Sequence, residues 1–84
     1  METLQYKVSF LDGQEKSGNA SKIFIKDALT VLNLNGHSGP LISVLKEGSF
    51  QLHHPDATME EFSYKEGFLK VSANRCVITI LKYE

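Results

Sequence analysis

Cysteine and long apolar runs are scarce in this 84-residue sequence. Its one cysteine, Cys76, cannot form an internal disulfide, which excludes a secreted fold held together by disulfides. No run reaches the roughly 20 apolar residues that a membrane-spanning helix requires. The N-terminal segment has no basic region followed by a long apolar core, so we expect no signal peptide. A reducing cytoplasm is the compartment that these absences favour.

Concentrated charge of one sign is absent as well. Nine Lys and Arg residues stand against ten Asp and Glu residues, the formal net charge is −1, and the basic residues are scattered singly. A nucleic-acid-binding protein usually carries a basic stripe or patch, so we expect no nucleic-acid partner. The length predicts a single domain spanning residues 1–84. A domain of this size buries only about 60% of the surface that its unfolded chain exposes.

What the sequence does contain is an apolar pattern with a period of two. Near the N-terminus Leu4, Tyr6, Val8 and Phe10 alternate with polar residues, which is typical of a half-buried strand. About eight such extended runs recur roughly every ten residues. The pattern therefore predicts an all-β fold, a small antiparallel β-sandwich of about 8–10 short strands.

Turn-forming residues separate these runs. Residues 33–40 carry the richest loop signal, with two glycines, two asparagines and one proline. Residues 53–57 contain Pro55, which stops ladder pairing, and predict a hairpin loop. Shorter turns are predicted at residues 11–14, 17–19, 47–48, 65–67 and 73–74.

Residues capable of nucleophilic catalysis or metal binding are few. Cys76 lies in the most apolar strand, where cysteine usually acts as a small inert hydrophobe. His53, His54 and Asp56 resemble a metal site in composition, but adjacent residues of a strand point to opposite faces. We interpret them as a solvated hairpin tip, and expect no metal, no cofactor and no catalytic residue. A metal-dependent enzyme that uses the three histidines is the least favoured alternative.

Several short motifs resemble one known family. Residues 36–41 read Gly-His-Ser-Gly-Pro-Leu, and residues 45–48 read Leu-Lys-Glu-Gly. The epsilon subunit of bacterial and chloroplast F-type ATP synthases, called delta in mitochondria, carries Gly/Asn-His-Ala-Pro-Leu followed by Leu-Lys-x-Gly. Residues 66–78 are similar to a second motif of that family, Gly-Gly-Phe-x-x-Val-x-x-Asn-x-Val-x-Val/Ile. The resemblance runs from about Tyr6 to Leu81, nearly the whole sequence.

The sequence also departs from the family pattern at three points. Residues 34–35 are extra and Gly39 intrudes before the proline, so the contacts of this loop are expected to differ. Glu66 replaces the first of two glycines. The sequence stops at Glu84, where most members continue into a helical hairpin that restrains ATP hydrolysis. We therefore expect this chain to lack that restraint.

The resemblance implies a non-catalytic subunit of the central stalk, or rotor. Such a subunit docks on the gamma subunit, sits on the polar loops of the membrane c-ring and rotates with both. It couples ion-driven rotation of the ring to ATP synthesis. The implied location is the cytoplasmic face of the bacterial inner membrane, with peripheral attachment through the complex. No cofactor is implied.

The resemblance also implies where partners would bind. The c-ring side would carry small and polar residues, and the gamma side would include the end of the same loop. The implied partner-binding residues are Asp27, Ala28, Asn33, Asn35, Gly36 and His37 on the ring side, Pro40 and Leu41 on the gamma side, and Ser38 between them.

A different class of protein also fits the residues. A free-standing β-sandwich could bind a peptide or a sugar through the loops at residues 33–40 and 53–56. Such a module usually displays exposed aromatic residues beside its loops. Phe50 is the aromatic residue nearest to these loops in this sequence.

Overall fold

A computed structural model describes residues 3–82, which form seven β-strands and no helix. The chain folds as β1 (Leu4–Phe10), β2 (Glu15–Ala20), β3 (Lys22–Asp27), β4 (Val31–Leu34), β5 (Leu41–His53), β6 (Met59–Ser72) and β7 (Arg75–Lys82). The described part of the chain has no helix that could cross a membrane. The prediction of an all-β fold is confirmed.

The seven strands belong to one continuous sheet in the order β2-β1-β7-β6-β5-β3-β4. Neighbouring strands are antiparallel, except that β1 and β7 run parallel. The predicted number of strands, about 8–10, was too high, because two predicted turns lie inside long strands. Residues 47–48 fall within the 13 residues of β5, and residues 65–67 fall within the 14 residues of β6. The predicted turn at residues 17–19 likewise lies within β2.

A bend in the β5–β6 hairpin converts the single sheet into two layers. Residues 41–46 of β5 pair with residues 66–71 of β6, and residues 48–53 pair with residues 59–64. Between these halves Glu47 has a positive φ of 49°. Beside the bend, the pairing of β6 with β7 shifts register at Glu66/Gly67, which makes a bulge in β7. A bulge increases the local bend and twist of a strand. Layer one consists of β1, β2, β7, residues 41–46 of β5 and residues 66–71 of β6. Layer two consists of β3, β4, residues 48–53 of β5 and residues 59–64 of β6.

Contacts between distant strands show that the two layers pack face to face. Lys16 Nζ of β2 lies 3.0 Å from Glu60 Oε1 of β6, although two strands separate β2 from β6 in the sheet. Glu60 Oε2 lies 2.9 Å from His54 Nε2, and the His54 ring contacts Tyr6 of β1. These side chains therefore close one side of the sandwich.

The core lies between the two layers. Every second side chain of a strand points into the core, as the apolar period of two predicted. These inward side chains are almost completely buried. The buried apolar residues are Leu4, Tyr6, Val8, Ala20, Ile23, Ile25, Leu34, Leu45, Phe50, Leu52, Tyr64, Leu69, Val71, Cys76, Ile78 and Ile80.

Gly48 permits the bend, because β3 crosses it closely. A Cβ atom added at Gly48 would overlap the backbone oxygen of Lys26 and lie 2.8 Å from Asp27 Cα. We expect Gly48→Ala to lower the free energy of unfolding by about 3 kcal/mol, since the backbone of β3 has to move. Urea unfolding measures this change.

Gly39→Ala is the matched control for Gly48→Ala. An added Cβ at Gly39 meets no atom within 4 Å. Its effect on the free energy of unfolding should stay within about 0.5 kcal/mol. Equal effects of the two substitutions would contradict the role given to Gly48.

The contact between Lys16 and Glu60 makes part of the stability depend on pH. The hydrogen bond from Lys16 holds the pKa of Glu60 below its usual value of 4.5. Because this folded-state pKa is depressed, the stabilisation is present above about pH 4.5 and is lost as the pH falls through the folded-state pKa. The difference in unfolding free energy between wild type and Glu60→Gln should therefore shrink in acid. The same substitution in a Lys16→Met background should show a much smaller dependence on pH, and an unchanged dependence would contradict the assignment.

Candidate interaction surfaces

The predicted partner-binding residues follow one edge of the sheet. β4 is the edge strand, and it pairs with β3 so that Val31 lies opposite Lys26 and Leu34 opposite Ile23. The β3–β4 turn and the loop at residues 35–40 therefore lie at opposite ends of β4, roughly 10 Å apart. We call residues 28–40 the β4 rim. The rim is a strip with two ends rather than the single loop end that the sequence implied.

One end of the β4 rim is a turn with internal hydrogen bonds. The Asn35 N–H donates to Ser38 Oγ (2.9 Å), and the His37 N–H donates to Asn35 Oδ1 (2.8 Å). The Ser38 N–H donates to the Asn35 carbonyl oxygen (3.1 Å). Gly36 is buried, while His37 and Pro40 are exposed. The turn thus presents His37 from a backbone that is already ordered, which reduces the entropy lost on binding.

Asp27 lies behind the other end of the rim and is buried, with 9% of its surface exposed. Its Oδ1 accepts a hydrogen bond from the Leu29 N–H (2.8 Å), and its Oδ2 accepts bonds from the Lys46 N–H (2.7 Å) and the Tyr64 hydroxyl (2.6 Å). Both carboxylate oxygens therefore already accept hydrogen bonds from within the protein. We assign Asp27 to holding the bend of β5 and the β3–β4 turn rather than to direct contact with a partner.

The remaining predicted residues keep positions that a partner can reach. Ala28 and Asn33 are exposed on the rim. Leu41 is half-buried at the start of β5, and its side chain packs against the core. Leu41 thus belongs to layer one and lies just beyond the end of the rim.

Exposed apolar residues were missed as candidates. Leu29 (66% exposed) and Val31 (61%) lie on the rim, whereas Ile42 (77%), Val44 (55%) and Phe68 (48%) lie on the outside of layer one. The signal was present in residues 41–45, where apolar residues occupy both phases of the alternation. One phase fills the core, so the other phase must face outward.

The residues considered as catalytic or metal-binding candidates contact different partners and do not come together in one site. His53 Nε2 lies 2.9 Å from Gln51 Oε1, whereas His54 contacts Glu60. Within residues 3–82 no group of three or more His, Cys, Asp or Glu side chains could hold a metal ion. Burial raises the pKa of the Cys76 thiol to about 12, so the thiol stays protonated.

The aromatic residue nearest the loops does not offer a binding platform. Phe50 is fully buried and stacks on Phe62, with ring centroids 5.2 Å apart. A peptide- or sugar-binding module that stacks its ligand on aromatic rings beside the loops is therefore disfavoured.

Comparisons with known proteins identify the fold. No protein-family model matches the sequence, and no curated protein matches it. A chain in the cryo-EM structure of the Euglena gracilis mitochondrial ATP synthase, comprising OSCP, F1 and c-ring, is similar with a TM-score of 0.84 and 15% sequence identity. A chain in the central stalk and c-ring of the Tetrahymena thermophila mitochondrial ATP synthase is similar with a TM-score of 0.75 and 15% identity.

The two similarities differ in coverage. The first covers 100% of this chain and 54% of the Euglena chain, and the second covers 94% of this chain and 63% of the Tetrahymena chain. The protein is thus an all-β domain that shares its fold with a chain found in each of these two ATP synthase assemblies. It spans between half and two thirds of the length of those chains.

Tyr64 provides a test of the buried carboxylate. Burial and the hydrogen bond to Asp27 both raise the pKa of Tyr64, so its hydroxyl remains a donor. We expect Tyr64→Phe to lower the free energy of unfolding by about 1.5–3 kcal/mol, because Asp27 loses a donor inside the fold. Tyr6→Phe is the control, since Tyr6 is also buried but its hydroxyl bonds to no other described residue. Equal losses in the two variants would argue against a special role for Asp27.

Proposed function

We propose that this chain is a non-catalytic subunit of the central stalk of a rotary ATP synthase, of the epsilon type. The observation that carries the proposal is the similarity of its whole described fold to a chain in an ATP synthase assembly, with a TM-score of 0.84. The motifs at residues 36–48 and 66–78 support the same family independently of the fold. The two lines agree although the structural neighbours share only 15% identity with this chain.

The architecture supports a mechanical role. A stalk subunit has to transmit torque between partners, so it needs a stiff body with separate contact surfaces. The continuous sheet closes on itself around a densely packed core, and such interiors have low compressibility. The β4 rim lies on one edge of layer two, which leaves the outside of layer one free for a second partner.

The β4 rim is proposed to contact the c-ring. Its exposed positions include Ala28, Asn33, Asn35 and His37, which are small or polar and suit the polar loops of a membrane ring. Ser38 and Pro40 follow in the same turn. Gly36 is proposed to act through its backbone, because it is buried. Leu41 is proposed to act on the gamma side, since it begins β5 in layer one.

The proposed location follows from the assembly. The chain would be a peripheral component on the membrane that carries the ring. The motif resemblance implies the cytoplasmic face of a bacterial inner membrane, whereas both structural neighbours come from mitochondrial enzymes. ATP synthesis and ion movement would take place in other subunits, and this chain would couple them.

Co-expression with the gamma subunit and c-ring of the same source tests the proposal. We expect the chain to elute with gamma at a ratio of one to one, and the pair to be retained on the detergent-solubilised ring. His37→Ala and Pro40→Ala should reduce retention on the ring by roughly five- to tenfold, because both side chains are exposed on the rim.

Pro55→Ala is the matched control for Pro40→Ala, since Pro55 is the other proline and is exposed in the β5–β6 turn. Its retention should equal that of wild type. A folded wild-type chain that binds neither gamma nor the ring would overturn the proposed function.

A further inference from the structure

The β4 rim belongs to the longest stretch of the sequence without a charged residue. Between Asp27 and Lys46 there is no Asp, Glu, Lys or Arg, and His37 is the one residue there whose side chain titrates near neutral pH. A chemical change that creates a carboxylate in this stretch would therefore add a charge that no sequence neighbour balances.

Asn35 and Gly36 form the one Asn-Gly pair of the sequence. In such a pair the backbone nitrogen of the glycine can attack the side-chain amide carbon of the asparagine, because the glycine has no β-carbon to crowd the approach. The reaction closes a five-membered ring, so it needs an amide carbon within reach of that nitrogen. Asn35 is exposed at the start of the turn, where water also has access.

The hydrogen bonds of the turn hold the Asn35 side chain over the backbone that follows it. Asn35 Oδ1 accepts a hydrogen bond from the His37 N–H at 2.8 Å, so the side chain folds toward the two residues after it. A donor placed at this oxygen stabilises the negative charge that develops there when a nucleophile attacks the amide carbon. The turn therefore both positions and activates the amide.

The nitrogen that would attack is not engaged in the turn. The Asn35 N–H donates to Ser38 Oγ, and the Ser38 N–H donates to the Asn35 carbonyl oxygen. The Gly36 N–H, in contrast, donates no hydrogen bond to any residue within 3–82. Gly36 is buried, but Asn35 and His37 on either side of it are exposed. No existing hydrogen bond has to break before this nitrogen reacts.

We propose that Asn35 is a site of spontaneous deamidation, which gives the uncharged turn of the β4 rim a carboxylate. The Gly36 nitrogen loses its proton to water and forms a bond to Asn35 Cγ, while the Cγ–Nδ2 bond breaks and the amide leaves as ammonia. Water then opens the resulting succinimide ring at either of its two carbonyl groups. One opening gives aspartate, and the other gives isoaspartate, in which the backbone runs through the former side chain.

The other asparagines lack this combination of features. Asn33 is exposed on the same rim, but Leu34 follows it and both residues lie within β4. Asn19 and Asn74 are also followed by residues that carry a side chain. A β-carbon on the following residue restricts its backbone and crowds the nitrogen, so these three amides should be stable where Asn35 is not.

Both products would change the contact proposed for the β4 rim, and this consequence rests on the proposed function. Isoaspartate lengthens the backbone by one carbon, so the hydrogen bonds between Asn35 and Ser38 lose their geometry and His37 is displaced. A new carboxylate must also lose water when the rim binds a partner, which is costly for an unpaired charge. Deamidation would thus act as a one-way switch that weakens retention on the c-ring.

Peptide mapping by mass spectrometry tests the modification on the folded chain during incubation in mildly alkaline buffer. Asn35 should convert to a mixture of aspartate and isoaspartate, while Asn33 in the same sample stays an amide. Gly36→Ala should slow the conversion roughly tenfold or more, because the added β-carbon crowds the nitrogen. The comparison of Asn35 with Asn33 within wild type does not depend on how well this variant folds.

Asn35→Ser supplies a variant that cannot deamidate. Its hydroxyl oxygen can still accept a hydrogen bond from the backbone two residues on, as serine does in turns. Wild-type chain that has been incubated until it deamidates should be retained on the detergent-solubilised ring roughly five- to tenfold less than fresh chain. Asn35→Ser should show the same retention before and after the same incubation.

The outcomes separate this inference from the proposed function. An Asn35 amide that survives in the folded chain, or that is lost only when urea unfolds the chain, overturns the inference and leaves the proposed function standing. Conversion of Asn35 in a chain whose fresh form binds neither gamma nor the ring supports the modification and overturns the proposed function. Equal retention of fresh and deamidated wild type overturns the switch.

Discussion

The bend in the β5–β6 hairpin is the constraint on which the rest of the structure depends. Lys46 and Tyr64, which flank the bend on the two strands, both donate hydrogen bonds to the buried carboxylate of Asp27. Gly48 lets β3 pass close to the bend, and Asp27 at the end of β3 receives those bonds. Without this bend the seven strands would form an open sheet with one apolar face in water. With it the sheet closes around a single core.

Closure of the sheet also places two exposed surfaces on different layers. The β4 rim borders layer two, and the exposed apolar side chains of Ile42, Val44 and Phe68 lie on the outside of layer one. The two surfaces therefore lie on separate parts of the same small body. A buried carboxylate that accepts three hydrogen bonds, of 2.6 to 2.8 Å, holds the bend between the layers. A carboxylate that accepts several short hydrogen bonds holds its donors firmly, so the bend is fixed from both strands.

The structure also separates residues of similar composition into different roles. Asp27 and His37 both lie near predicted loops, yet the first is buried behind the rim and the second is exposed on an ordered turn. His53 and His54 are adjacent in sequence, but one contacts Gln51 and the other closes the sandwich through Glu60. The direction of a side chain from its strand, and not its residue type, decides these roles.

The sequence by itself determined the all-β class, the alternation that fills the core and the loop that carries His37, because these features depend on residues close together in the chain. The tertiary structure decided the rest. Glu47–Gly48 and Lys65–Gly67 carry ordinary turn residues, and only pairing over the length of β5 and β6 makes them parts of bent strands. The burial of Asp27 depends on Tyr64, which lies 37 residues away. Val44 and Phe68 likewise become neighbours on the outside of layer one only because β5 pairs with β6, and contacts between distant segments have no local sequence signal.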